Sequence, residues 1–376
     1  MSLSRSLLIL LLLFAVSPDV VGAEGKFWVY IGSNGKEIYK LEFDANTGTL
    51  TSKGIAAETP RPSFLAIHPT KRFLYAVGEV NTLNGKKGGG VVAYSLNPAT
   101  GDLVKLNEQS SVGAGPCHVV VDAAGKNVLA ANYGGGSVCV LPIQPDGKLG
   151  EASAFIQHTG SSVNPSRQKE PHAHSVNLDP ANKFAFVADL GLDKVIAYRF
   201  DPAKGTLAAG DAYETAKGAG PRHFAFHPDG KHAFVINELD STLDAMNFDP
   251  TTGKLTRTDS IKTLPGDFKG NSTTAEVQVH PSGKFVYGSN RGHDSIAAFA
   301  FDSATGRLKP IGHATEGIKT PRNFAVDPTG RFALVANQDG DSVLVFRIDP
   351  KTGALSPTDQ KVVAKKPVCV KFVPIP

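Results

Sequence analysis

Imidazole, guanidinium and carboxylate side chains gather in a few short runs of this chain: Pro171-His172-Ala173-His174-Ser175, Gly220-Pro221-Arg222-His223, Asn237-Glu238-Leu239, Ser289-Asn290-Arg291 and Pro321-Arg322-Asn323. A carboxylate or imidazole in a partly desolvated cleft can take a proton from water. A guanidinium presents a planar fork of donors to an oxyanion, a phosphate or a carboxylate. Together these types suit acid–base chemistry on a small anionic or hydroxylated molecule. Neither metal nor cofactor is expected, because His172 and His174 have no third ligand at fixed spacing. Nucleophilic catalysis is poorly served as well: there is no Gly-x-Ser-x-Gly elbow. Cys117, Cys139 and Cys369 lie in apolar, strand-like runs where a thiol is expected to be buried and inert.

Residues so far apart need a scaffold that brings them together, and a repeat supplies one. A turn of the form Asp-Pro-x-Thr-Gly-x-Leu recurs, with variations, at Asp44 to Leu50, Asn97 to Leu103, Gln144 to Leu149, Asp201 to Leu207, Asp249 to Leu255, Asp302 to Leu308 and Asp349 to Leu355. A second signature, two apolar strands joined by a hairpin turn, spans His174 to Asp189, Arg222 to Asn237, Ala275 to Asn290 and Arg322 to Asn337, and opens again at Ser63 and Cys117. Four β-rich runs per copy match the period of a propeller blade. Val368 to Pro374 reads as an inner strand without partners, and Phe27 to Leu50 as outer strands without an inner one. The predicted fold is therefore all-β, a seven-bladed β-propeller of four-stranded antiparallel blades over residues 24–376, closed by N- and C-terminal strands that share one blade. Closure leaves few free sheet edges. No sustained helical apolar period follows residue 23, so helices should be nearly absent.

The copies serve as controls for one another. A residue type that recurs at one position is structural, and one that stands out needs another reason. Asp193, Asp294 and Asp341 share a position with Ser241 and read as turn residues opening the third strand, too far apart in sequence for a calcium site. The start of the inner strand behaves differently. It holds Ser63, Cys117, His174, Arg222, Ala275, Arg322 and Val368 in turn, followed by Phe64, His118, Ser175, His223, Glu276, Asn323 and Cys369. The position past the second strand holds Glu79, Tyr133, Leu190, Glu238, Arg291 and Gln338. An inner strand leaves one face of the propeller and the hairpin returns to it, so both sets ring one mouth of the central channel. His174, Arg222, Arg322, Glu238 and Arg291 are expected in one cleft, with Glu276, His118 and His223 beneath or beside them. The plainer reading of Arg222 and Glu238 is an ion pair within one blade.

These runs, with Ala188-Asp189-Leu190-Gly191-Leu192-Asp193 and the Arg167-Gln168 pair, resemble the seven-bladed propeller lactonase family over essentially all of residues 24–376. That family includes the propeller-type 6-phosphogluconolactonase and the carboxy-cis,cis-muconate lactonizing enzyme. The resemblance implies hydrolysis of a sugar-acid lactone, such as 6-phospho-D-glucono-1,5-lactone, with His174, Arg222, Glu238 and Arg291 as the catalytic group. Lactone opening needs an activated water, a holder for the oxyanion and a grip on the rest of the substrate. Glu238 or His174 would take the proton, with Glu238 preferred. Arg222 and Arg291 would face the oxyanion and an anionic group, with Arg322 as a further anion contact. His172, His223, Glu276, Asn323 and Arg167 complete the expected substrate-binding set. Two other functions remain open: a cycloisomerase that closes a carboxylated diene acid, and a non-enzymatic binding propeller. The last would favour aromatic or apolar patches at the mouth, whereas the aromatics here look strand-internal.

Residues 1–23 stand apart. Arg5 precedes an apolar run from Leu7 to Val16, and Val21-Gly22-Ala23 offers small residues for cleavage, the pattern of a signal peptide. Export to a periplasm or medium is expected, with no later stretch long enough to span a membrane. A phosphorylated sugar lactone is a cytoplasmic metabolite, so export leaves the natural lactone open. The formal charge is only +4 and the basic residues are scattered, which argues against a nucleic-acid partner. The partner expected is a small-molecule lactone. Two insertions, Asn81 to Gly90 and His158 to Glu170, are placed to act as lids or specificity elements.

Overall fold

A computed structural model describes residues 25–83 and 85–376. The leader expected at residues 1–23 lies outside the described residues. Among the described residues the strands form seven four-stranded antiparallel sheets. Six run from inner to outer strand in chain order, as in Pro221–Phe226, His232–Asn237, Thr242–Phe248 and Leu255–Lys262. The remaining one closes the ring: Pro367–Pro374 is the inner strand of a blade whose other strands are Lys26–Ser33, Glu37–Asp44 and Thr49–Glu58. Trp28 faces Val373 across that junction and Tyr30 faces Lys371. The inner strands contact one another in an unbroken circle, blade by blade, until Pro367–Pro374 meets Leu65–Ile67. A single 3-10 turn, Gln338–Gly340, is the helical element among the described residues.

The sequence pattern of a second strand explains why the blades stack. Phe184–Asp189 is buried along its whole length because each sheet is sandwiched between two neighbours. Successive side chains point to opposite faces of a strand. Phe184, Phe186 and Ala188 therefore enter one seam with Phe224 and Val235 of the next blade. Ala185 and Val187 enter the other with Val138 and Val140 of the preceding blade. Outer strands such as Thr206–Glu214 are largely exposed, as expected at the rim.

Polar latches fix the seams. Tyr30, Tyr75 and Tyr287 donate their hydroxyls to the carbonyls of Gly101, Gly147 and Gly353, each in the recurring turn of the next blade. These glycines permit close approach: at Gly353, with φ +74°, a Cβ would collide with the Phe285 ring. His68, His227 and His280 bond through Nε2 to the carbonyls of Gly125, Gly283 and Gly330. His227, Asp229 and His232 also form a compact group of metal-ligand types. The recurrence of the His227 latch in two other blades marks that imidazole as a seam element.

The positions dismissed as turn residues are indeed turn residues: Asp193, Ser241, Asp294 and Asp341 all adopt left-handed backbone, with φ between 44° and 55°. The Asn81 to Gly90 insertion carries a short ribbon, Thr82–Leu83 paired with Lys86–Lys87. The insertion from His158 is irregular between residues 158 and 171 but firmly tied, as described below.

Candidate active site

Starts of inner strands and ends of second strands meet at one mouth of the channel and enclose a cavity of about 230 Å³. His174, Arg222, Glu238 and Arg291 all line it, with Arg322 and Arg167. Glu79, Tyr133 and Cys117 complete the wall. Sequence register alone had placed Glu79 and Tyr133 at the mouth without giving either a role. A narrower space continues below, bounded by Ser63, Phe64, His223 and Val368.

Glu238 is the electrostatic centre. Its Oε2 accepts from Arg222 Nε at 2.9 Å and lies 3.0 Å from Arg291 Nη2, and its Oε1 accepts from Arg167 Nη2 at 2.6 Å. Burial alone would raise the pKa of this carboxyl, but Arg291, Arg222 and Arg167 outweigh it and hold the value down to about 2. The Arg222–Glu238 pair is thus internal to a blade, as the plainer reading held, and also the hub to which two other segments attach. Arg222 is almost wholly buried and gives Nη1 to the Ala275 carbonyl at 2.6 Å. Desolvation and the nearby Arg291 lower its pKa, yet a guanidinium so placed stays charged at neutral pH. Arg291 donates Nη2 to the Thr274 carbonyl at 2.7 Å, while its buried Nε has no partner among the described residues. The Arg322 side chain lines the cavity and makes neither a hydrogen bond nor an ion pair among the described residues.

His174 stands beside this hub, with Nε2 4.0 Å from Glu238 Oε2. Desolvation, then the charge of Arg222, pushes its pKa well below 6.5, so the imidazole is neutral at pH 7. The Cys117 thiol lies 3.7 Å from His174 Nδ1 and donates to the His174 carbonyl. Burial pushes that thiol up to about 12, which removes it as a nucleophile. All three cysteines are buried and free.

Below the cavity, His223 donates Nδ1–H to Glu276 at 3.0 Å, and Asn323 donates its amide to the same carboxyl oxygen. Asn323 in turn accepts from the Val370 amide, tying the ring-closing strand to the channel. Burial raises the pKa of Glu276 and lowers those of His118 and His223 well below 6.5. The His118 ring packs on Phe64 at 4.1 Å and against His223 at 5.2 Å. Glu276 and Asn323 therefore floor the site instead of lining it. His172 is also set back: its Nδ1 bonds to the Tyr133 carbonyl at 3.0 Å and its ring stacks on Tyr133 at 4.4 Å.

Arg167 reaches the hub from segment 158–171, which two buried aspartates anchor. Asp189 accepts from His158 Nδ1 at 2.6 Å and from the His172 amide at 2.8 Å. Asp193 accepts from Ser162 Oγ at 2.5 Å, Gln168 Nε2 at 2.6 Å, Gly218 N at 2.7 Å and Gly220 N at 2.8 Å. One carboxylate thus holds both the segment carrying Arg167 and the approach to Arg222.

A family model described as the seven-bladed β-propeller lactonase matches residues 26–372. The chain belongs to that lactonase family. It is 36% identical over 297 residues to a 6-phosphogluconolactonase from Bacillus subtilis, covering 78% of this chain and 83% of the relative. A 6-phosphogluconolactonase from Formosa agariphila is 32% identical over 290 residues, covering 74% of this chain and 79% of that one. The structure of a periplasmic gluconolactonase from Pseudomonas aeruginosa superposes with a TM-score of 0.87 at 32% identity, over 93% of this chain and all of the other. In this lactonase the polar mouth has the donors and the proton acceptor that ester hydrolysis requires, on rigid strands that hold them in place.

Proposed function

We propose that this lactonase opens a six-membered sugar-acid lactone, glucono-1,5-lactone or its 6-phosphate, by general-base attack of water at the channel mouth. The names of the Bacillus and Pseudomonas relatives support the substrate class. The observation that carries the reading is a neutral His174 set 4.0 Å from a carboxylate that three guanidiniums keep ionised. The base role falls to His174 because the Glu238 oxygens already accept from those guanidiniums, and a pKa of about 2 leaves Glu238 little affinity for a proton. Water attacks the lactone carbonyl carbon as His174 removes its proton, and Glu238 stabilises the imidazolium that forms. Arg291 takes the oxyanion. The carbonyl re-forms as the ring C–O bond breaks, and the departing oxygen recovers the proton from His174. The product is the open hydroxy acid. Arg322, whose guanidinium is unpaired among the described residues, holds an anionic or hydroxylated end of the substrate. Arg222, with Nε and Nη1 both committed, orients Glu238.

The Arg5 and Leu7 to Val16 pattern, together with a relative described as periplasmic, supports export after cleavage behind Ala23. N-terminal sequencing of the secreted protein checks that reading.

The purified protein is to be assayed on glucono-1,5-lactone, its 6-phosphate and carboxymuconate, against the uncatalysed rates. Opening of a lactone is expected, falling by about 10² to 10⁴ in His174→Gln. If no lactone opens faster than it does spontaneously, the hydrolase reading is wrong, and cyclisation of carboxymuconate would replace it.

A further inference from the structure

Glu79 is a second carboxylate at the mouth, and the hydrolytic steps leave it unused. It occupies the repeat position of Glu238: each directly follows the second strand of its blade, Phe73–Gly78 in one case and His232–Asn237 in the other. Each also accepts from the residue that opens its own inner strand, Ser63 Oγ for Glu79 and Arg222 Nε for Glu238. The electrostatic surroundings differ. Three guanidiniums surround Glu238, whereas Glu79 is paired with one, the exposed Arg61, through Nη2 at 3.0 Å.

The two carboxylates line the same cavity. They belong to blades three steps apart in a closed ring of seven, the largest separation the ring allows. The cavity is therefore polarised, with the three guanidiniums around Glu238 on one wall, the Glu79 carboxylate across the ring from them, and Arg322 two blades from Glu79. A carboxylate has about four acceptor directions, and Arg61 and Ser63 occupy two.

We infer that Glu79 is a specificity residue, which accepts hydrogen bonds from the hydroxyls of a polyhydroxylated lactone whose carbonyl faces the guanidinium wall. The inference rests on the lactonase reading. Hydroxyl donors make charge-assisted bonds to a carboxylate. A lactone without hydroxyls leaves that carboxylate dehydrated and unpaired, and a site built to bond a hydroxyl rejects such an analogue strongly. A lactone with a carboxylate at that end meets like charge.

The test compares glucono-1,5-lactone with unsubstituted δ-valerolactone, each referred to its own uncatalysed rate, in the wild-type protein and in Glu79→Gln. The wild type is expected to favour gluconolactone by about a hundredfold or more in kcat/KM. Glu79→Gln should raise KM for gluconolactone about tenfold, change kcat little and leave the δ-valerolactone constants as they were. Equal treatment of both lactones by the wild type would overturn the inference without recourse to any variant. So would a fall in kcat for both lactones in Glu79→Gln, since that would place Glu79 in the chemistry. Should the 6-phosphate alone be turned over, it takes the place of gluconolactone in the comparison; turnover of none of the three lactones would remove the lactonase reading and this inference with it.

Discussion

Arg167 donates Nη2 to Glu238 Oε1 across 2.6 Å, joining a segment outside the repeat to a residue seventy-one positions later in the chain. The same Nη2 lies 3.1 Å from the Tyr133 hydroxyl, so one guanidinium spans three blades of the mouth. This bond separates a site from a mere circle of charged strand ends.

Arg167→Ala should therefore lower kcat/KM by about 10² through misplacement of Glu238 and Tyr133, and leave thermal stability nearly unchanged because Arg167 is partly exposed. Arg167→Lys should recover only part of the loss, since an ammonium lacks the fixed planar donors with which the single Nη2 meets both Glu238 and Tyr133. Steady-state kinetics on the wild type and the two variants check this, and full activity in Arg167→Ala would refute it.

Glu238→Gln and His174→Gln should differ in how activity depends on pH. With His174 as base, kcat/KM is flat from about pH 6 to 8, because its pKa is pushed well below 6.5. Glu238→Gln should lower the plateau and keep it flat, since Glu238 stays ionised far below that window. His174→Gln should abolish most activity at every pH. A rising limb centred in the window 6 to 8 that disappears with Glu238→Gln would return the base role to Glu238.

Asp193→Ala should be far more harmful than the same change at its repeat equivalents. Asp193 accepts four hydrogen bonds from two segments, whereas Asp341 takes one from Lys366 N and Asp294 takes two, from Gly292 N and Thr320 N. Loss of the buried acceptor is expected to cost about 2 to 4 kcal/mol and to raise KM, because Arg167 and Arg222 both lose their anchor. Urea denaturation of the three alanine variants, with KM measured on each, decides it. Equal effects at all three positions would reduce Asp193 to an ordinary turn residue.

Stability should fall as the pH drops below about 6.5. His118, His174 and His223 have folded-state pKa values well below 6.5, so the unfolded chain binds protons that the folded chain does not. Each contributes a loss of up to about 1.4 kcal/mol per pH unit once that range is entered. Glu276 works the other way, since its raised pKa makes the folded state the better proton binder below that value. Glu238 adds stability above about pH 4.5 that is lost toward its folded-state pKa of about 2. Urea unfolding at pH 7.5, 6.5 and 5.5 should show the decline, with a shallower slope in His118→Gln. A flat profile would contradict the buried, neutral histidines.

Much of the site was legible because the repeat carries its own controls. Registering the copies isolated His174, Arg222, Glu238, Arg291 and Arg322, and those positions do converge on one cavity. His172, by contrast, is expected among the substrate contacts but does not line the cavity. In the folded chain its ring stacks on Tyr133 and its Nδ1 bonds to the Tyr133 carbonyl, a neighbour thirty-nine residues away that no repeat register reveals. Asp193 was classed with the turn residues and does hold a turn. Its carboxylate acquires four donors only because two segments that do not pair in any sheet converge on it.

The sequence by itself determined the seven-bladed ring, its closure by the two chain ends and the mouth at which charged residues collect. Those properties follow from strand periodicity and from turns that recur at fixed register, which are local and repeat along the chain. Only the tertiary structure decided which charges pair. Glu238 became an ionised hub and His174 a neutral imidazole because pKa values depend on burial and on the distance to groups that are remote in sequence. No register of the copies encodes the reach of Arg167 from an insertion to Glu238, or the pairing of Glu79 with Arg61 and Ser63.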